Sequence, residues 1–344
     1  MKVLLIFAGL TIIAFTSLRS ADTVQRQEKL SSYGFFKGTL SALQPADKII
    51  PYTVNTPLFS NYAEKLRFIR LPEGSTAVYN DSAAFEFTLG TILIKNFYYP
   101  TDFRKPEKGR RILETRLLVL LEGGWEAWPY IWNDEQTEAY YDPAGETRSV
   151  EYIDKAGKKI STQYMIPNKN QCKGCHARGK EMKPIGTTAR QLNGDLIYAA
   201  GRMNQLTYWK NNGMLTSTPD LASAPRLAVW NDPSTGDLNA RARAYLDANC
   251  GHCHSRLGPA STSGLFLNIG ENNRTHLGVN KPPVAAGRGA GDLQVDIVPG
   301  QPQRSILVFR MKTNDPAIAM PEIGREQIDK EGVALIEEWI RKMR

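Results

Sequence analysis

Asn249-Cys250-Gly251-His252-Cys253-His254 holds two thiols three residues apart, with a histidine directly behind the second. The same Cys-x-x-Cys-His spacing stands upstream as Cys172-Lys173-Gly174-Cys175-His176. This is the spacing of covalent haem attachment. Each thiol adds to one vinyl group of a single porphyrin, and the histidine supplies an imidazole to the iron. Paired cysteines serve two other chemistries. A redox disulfide is expected beside a βαβ pattern, which the sequence lacks, and two zinc half-sites so far apart are long for a ribbon. The chain holds 4 His among 344 residues, so a histidine behind both pairs is a specific signal. The reading is two haem c groups, one on Cys172 and Cys175 and one on Cys250 and Cys253, with His176 and His254 as iron ligands.

All four cysteines fall inside the two motifs, which leaves none for a structural disulfide. The composition is that of a globular protein, 42% hydrophobic and 23% charged, with a formal net charge of +8. The Lys and Arg residues are dispersed and no nucleic-acid motif is present. A mildly basic surface suits either ordinary solubility or docking to an acidic redox partner. Behind Met1-Lys2 an apolar run covers residues 3–15, followed by Thr16-Ser17-Leu18-Arg19-Ser20-Ala21. This reads as a secretory signal peptide over residues 1–21 and places the protein in the periplasm or otherwise outside the cytoplasm. Arg19 interrupts the small-residue pattern, so no cleavage position is assigned. An uncleaved N-terminus would give membrane association, although the run is short for a span.

Residues 22–166 read as a mainly antiparallel β domain. Residues 91–99 are β-branched and aromatic, 111–121 carry apolar residues on both faces, and 125–132 return after Gly123-Gly124. Residues 149–154 and 159–165 straddle Lys155-Ala156-Gly157 as a hairpin. Trp125, Trp128, Tyr130, Trp132, Tyr140 and Tyr141 are expected mainly in the core. Asp134, Glu135 and Glu138 are expected in a solvated turn.

Residues 167–223 carry the first motif and a helical segment. Residues 166–170 read as a loop and 195–211 as a helix stopped by Gly213. The second axial ligand of the first haem is left open. Met182 follows His176 too closely, and Met203 and Met214 read as packing residues. Residues 224–344 form the last unit. Residues 224–239 are a Pro- and Gly-containing linker, 238–249 a helix running into the second motif, and 327–343 an amphipathic helix. Ala242 is small enough for those two helices to cross closely. Between them Met320-Pro321 offers a thioether, so His254 and Met320 are expected to ligate the second iron. Such His/Met ligation favours electron transfer. His252 and His276 are expected at the surface, and Gly258-Pro259 is a candidate carbonyl donor to the His254 ring.

From these residues, 238–344 resembles a class I cytochrome c domain: helix, Cys250-x-x-Cys253-His254, a Met320-Pro321 loop, terminal helix. The chain from residue 33 onward resembles a family of exported dihaem c-type cytochromes. The resemblance rests on Tyr33-Gly34-Phe35-Phe36, Asn55-Thr56-Pro57-Leu58-Phe59, Lys65-Leu66-Arg67-Phe68-Ile69, Gly90-Thr91-Ile92-Leu93-Ile94-Lys95, Tyr130-Ile131-Trp132-Asn133-Asp134-Glu135-Gln136 and Pro167-Asn168-Lys169-Asn170-Gln171-Cys172-Lys173-Gly174-Cys175-His176. A shorter likeness, Gly90, Thr91 and Lys95 ahead of Cys172, is similar to exported cytochromes with a lysine-crosslinked haem that oxidise hydroxylamine. The resemblance implies an α+β chain, an N-terminal antiparallel β domain followed by an all-α class I cytochrome c-like domain.

The function expected is electron transfer between a partner dehydrogenase and a terminal acceptor, an electron carrier rather than a catalyst. Two alternatives remain at this stage. One is a haem oxidoreductase whose open first iron reacts with peroxide or a small nitrogen compound. The other is a partner-binding β module with a redox domain attached.

Overall fold

The computed structural model describes residues 24–344, so the signal-peptide reading of residues 1–21 lies outside the described residues. The centre of the fold is a six-stranded antiparallel sheet whose spatial order follows the sequence. Its strands are β1 (Ile49–Tyr52), β2 (Glu64–Arg70), β3 (Ile92–Pro100), β4 (Arg110–Leu121), β5 (Gly124–Trp132) and β6 (Ala139–Tyr141). Gly124 turns β4 into β5 at φ +100°, a left-handed conformation that glycine adopts without strain.

Strand alternation sends every second side chain to the same face. Phe68, Ile92, Ile94, Leu117, Val119, Trp128, Tyr130 and Trp132 pack on one face against Leu30, Phe35 and Leu43. Each fully buried aliphatic side chain there contributes about 1.5–3 kcal/mol. The other face is divided. At one end Ile69, Leu93, Leu118, Trp125 and Ala127 pack with Leu206, Trp209 and Cys172. At the other end Phe97, Tyr99, Leu113 and Ile131 pack with Val150 and Tyr164. The last two belong to a separate hairpin of β7 (Glu146–Ile153) and β8 (Lys159–Ile166), which forms where the sequence placed one. Between the two apolar ends the same face carries Arg67, Lys95 and Arg116, set side by side by the register.

Trp125, Trp128, Tyr130 and Trp132 are buried as expected, while Tyr140 is exposed. In the acidic turn, Asp134 pairs with Arg111 and Glu138 accepts from the Ser31 hydroxyl.

Several helix assignments change. The first motif is not preceded by a loop that carries into it; it lies on α1 (Lys169–His176). Residues 195–211 are not one helix. They form a hairpin of β9 (Asp195–Tyr198) and β10 (Gly201–Asn204), and only then α3 (Gln205–Asn211), after the one-turn α2 (Ala189–Leu192). Gly201 takes φ +107° at the hairpin turn, and the Asn204 side chain caps the amides of Leu206 and Thr207. Gly213 ends the segment as expected, with φ +66°.

The larger correction concerns residues 224–344. Among the described residues the structure is β-rich, with six α-helices and 24% helical residues, and the expected all-α class I cytochrome c domain is not formed. This segment contains α4 (Leu238–Leu246), α5 (Ile306–Met311) and α6 (Lys330–Lys342), joined by long stretches of turns and short 3-10 pieces. The physical reason lies in the joining sequence. Pro282, Pro283, Gly287, Gly289 and Gly291 remove amide donors or add backbone freedom, which favours turns over helix. Nor, among the described residues, is any group of three or more His, Cys, Asp and Glu arranged to hold a metal ion. The resemblance to an exported dihaem cytochrome family is therefore not supported by the fold. Among the described residues no helix is long and apolar enough to cross a membrane.

α4 and α6 do pack on one another. Ala242 is fully buried in their shared core with Leu246, Val333, Ile336, Trp339 and Ile340. The closest approach is at Gly332, where an added Cβ would run into the Tyr245 ring.

Candidate functional site

The first motif is presented by a capped helix. Asn168 accepts from the Gln171 amide at 2.8 Å, and the Gln171 side chain accepts from the Asn168 amide at 2.9 Å. This reciprocal cap satisfies two of the free amides at the helix start. Helical spacing then sets Cys172 beside Cys175 and His176, three and four residues further on. Cys172 enters the sheet core. His176 Nδ1 lies 2.8 Å from the Lys183 carbonyl oxygen, which fixes the ring and leaves Nε2 free to bind an iron. Burial, then the charge of Lys95, lowers the His176 pKa to about 3, so the imidazole is neutral and able to ligate. Burial raises the Cys172 and Cys175 thiols, and Arg116 opposes it.

The second motif follows α4 through a wide helical turn over Asp247–Gly251. Asn249 holds this turn in place. Its Oδ1 accepts from the Phe59 amide at 2.7 Å, and its Nδ2 donates to the Tyr245 carbonyl at 2.9 Å. At Gly251 a Cβ would meet the Asn268 backbone at 2.9 Å, so glycine permits the approach of that strand of chain. The His254 amide donates to the Cys250 carbonyl at 2.8 Å. Its Nδ1 lies 3.4 Å from Ser263 Oγ. The expected partner of the ring, a carbonyl of Gly258-Pro259, is not used in this way; the Gly258 amide instead donates to Ser255 at 3.0 Å. Burial raises the Cys250 and Cys253 thiols to about 12 and about 11.

His252 departs from its expected surface position: it is 5% exposed and its Nδ1 has no hydrogen-bond partner of good geometry, although it lies close to the Ala248 carbonyl. His276 is half-buried, with Nδ1 3.2 Å from Glu271.

The tertiary structure brings the two motifs together. The Gly179 amide donates to the Leu257 carbonyl at 2.8 Å, and Arg178 donates to the His252 carbonyl. Cys175 lies near enough to Cys253 to help raise its thiol.

Two cavities border the motifs. The larger, about 1480 Å³, is lined by Trp125, Lys173, Arg178, Met182, His252 and Arg256 among others, but by none of the four thiols, His176 or His254. The smaller is nearly closed, about 10 Å³, and its wall joins Cys250 to Met320, with Tyr245, Met311 and Phe59 beside them. Met320 is thus brought to the second motif. Among the other methionines, Met214 is buried in the core with Cys172 while Met203 sits in the β9–β10 hairpin. In kind, the residues fit haem attachment: four free thiols, and two imidazoles held by Nδ1 contacts.

One feature of the site is only partly legible in the sequence, where a short likeness singles out Lys95 but nothing local ties Arg67 and Arg116 to it. Lys95, Arg67 and Arg116 face the first motif from three adjacent strands. Each is an ordinary strand residue locally, and only the cross-strand register joins them. Compared with known proteins, the chain matches no family model, no curated protein and no solved structure.

Proposed function

We propose that this chain is an exported electron-transfer protein carrying two covalently attached haem groups. One is held by Cys172 and Cys175 with His176 as iron ligand, the other by Cys250 and Cys253 with His254 and Met320. The observation that carries the reading is the direct contact of the two motifs through Arg178 and Gly179. Two redox groups anchored on touching segments are close enough to share an electron, which a pair of unrelated thiol sites would not require.

Bound haem would supply a one-electron couple, with His176, His254 and Met320 as the ligands this chain would give to iron. This chain's residues orient and tune. The Lys183 carbonyl fixes the His176 ring with Nε2 outward. Ser263 stands at the Nδ1 of His254. Met320, beside Cys250, offers a soft sulfur that raises the potential of an iron it ligates. The partner is a redox protein outside the cytoplasm, and the basic net charge favours an acidic one.

Mass spectrometry of the exported protein tests this. The expected result is the mass of two haems added covalently, with one lost in Cys172→Ser/Cys175→Ser and the other in Cys250→Ser/Cys253→Ser. Fully exported protein without covalent haem sinks the proposal.

A second reading, that the first haem is catalytic, is favoured by one observation. The charged groups acting on His176 include the cations Lys95 and Arg116, which would draw a small anionic ligand to an iron held there. An iron left open there would take a small ligand. A low-spin spectrum for both irons, unchanged by added small ligands, counts against this reading.

A further inference from the structure

The sheet face opposite the first motif carries more positive charge than the fold neutralises. Arg67 stands directly across from Lys95, and Lys95 directly across from Arg116. Lys65 lies one step along the same face, across from Phe97. Lys65, Lys95 and Arg116 gather about the Phe97 ring, at 5.9, 5.7 and 4.2 Å from its centroid. Like charges set directly opposite on a sheet repel.

The available acceptors do not balance the row. Glu114 is the one carboxylate on this face of the three strands. It is fully buried and committed to Arg116, at 2.6 and 2.5 Å, and to the Tyr164 hydroxyl at 2.7 Å. Glu64 precedes Lys65 and so points to the opposite face. Lys65 donates only to the Leu58 carbonyl, at 2.6 Å. Arg67 is 9% exposed, and neither its guanidinium nor the Lys95 ammonium has a hydrogen-bond acceptor among the described residues. Lys65, Lys95 and Arg116 nevertheless keep some accessible surface in the middle of the sheet, so the row borders open space rather than packed core. Burial and mutual repulsion depress Lys95 to about 7 and Lys65 well below its ordinary value. Either these lysines give up their protons or an anion joins them.

We propose that Arg67, Lys95, Arg116 and Lys65 form an anion site facing the first motif, and that its occupant is a compact carboxylate-like oxyanion. Two sources share that chemistry: a carboxylate of the haem on Cys172 and Cys175, or a free anion the size of formate. The first source rests on the haem reading above; the second does not.

The test uses the full exported chain, kept reduced so that anions do not bind at iron. Thermal stability is followed against sodium formate, with sodium chloride at equal ionic strength as reference. A free oxyanion predicts that formate stabilises the wild type, with about tenfold weaker binding in Arg67→Met, as loss of a charge-assisted contact implies. A haem carboxylate predicts no formate effect on the wild type, but a lower first-haem reduction potential in Arg67→Met and Lys95→Met, restored by Lys95→Arg. Lys48→Met, at an exposed cation, is the control and should do neither. If Arg67→Met does not fold, Lys65→Met and Lys95→Met carry the comparison. Formate acting no differently from chloride, together with an unmoved potential, overturns the proposal. If mass spectrometry finds no haem on the first motif, the electron-transfer reading fails there, and the anion site then stands or falls on the formate response alone.

Discussion

Arg178 donates a hydrogen bond from its guanidinium to the backbone carbonyl oxygen of His252. Arg178 lies two residues beyond His176 in the first motif, and His252 lies inside the second. A long side chain from one motif thus satisfies the main chain of the other, and His252 itself is buried at the junction.

Replacing this arginine should open that junction. Arg178→Ala leaves the His252 carbonyl without its charged donor, which costs about 1–3 kcal/mol. Urea denaturation should show a lower midpoint at unchanged slope, with Arg178→Lys between the two. An Arg178→Ala midpoint equal to that of the wild type would show that the contact contributes nothing to stability.

Gly332 is the point of closest approach between α6 and α4, where a Cβ would collide with the Tyr245 ring. Gly332→Ala improves helix propensity by about 1 kcal/mol, but overpacking a full core costs about 1–3 kcal/mol. The net outcome expected is destabilisation. The double variant with Tyr245→Leu should recover stability relative to Gly332→Ala alone, as measured by a double-mutant cycle.

Asp329 gives a pH dependence with a defined sign. Burial raises its carboxyl above the ordinary value, and the Gly332 amide and Tyr245 hydroxyl only partly offset this. The folded chain therefore holds this proton where the unfolded chain has already released it. The contribution favours folding below the ordinary aspartate range, about 3.9, and is lost as pH rises through the raised value. Asp329→Asn keeps a side-chain oxygen for the Gly332 amide, which the aspartate binds at 2.9 Å. The variant should gain on the wild type as pH rises from about 4 to about 7, measured by chemical denaturation across that range. A pH-independent difference would remove Asp329 as the cause.

Glu114 holds Arg116 and Tyr164 together inside the sheet face. Glu114→Gln takes away the countercharge of a half-buried guanidinium, which costs about 1–3 kcal/mol. The loss should be smaller in Glu114→Gln/Arg116→Met, where both charges are gone. Equal losses in the single and double variants would mean that packing, not charge, sets the cost.

Met320 tests the ligation proposed for the second haem. Met320→Ala should lower the potential of that haem and leave the first unchanged, since thioether ligation raises the potential. Spectroelectrochemistry reads the two separately. An unmoved potential would leave Met320 as a packing residue beside Cys250.

The strands are written in the order of the residues. The β-branched and aromatic runs of residues 91–99 and 125–132 and the two-faced apolar run of 111–121 are local properties, and burial on both faces of the sheet favours them. The sequence also marked the two attachment motifs, because a thiol spacing is written in consecutive residues. The C-terminal segment misled for a related reason: a motif, a methionine and a terminal helix were legible, but the Gly- and Pro-rich chain between them adopts turns, not a helical domain. Likewise residues 195–211 carried helical spacing, yet Gly201 allowed the hairpin, whose pairing outweighed weak propensity. That the motifs touch, that His252 is buried and that Arg67, Lys95 and Arg116 share one row emerges only when the chain is folded. Each of these depends on register or on contacts between residues far apart in the chain, and no local pattern encodes the free energy of such contacts.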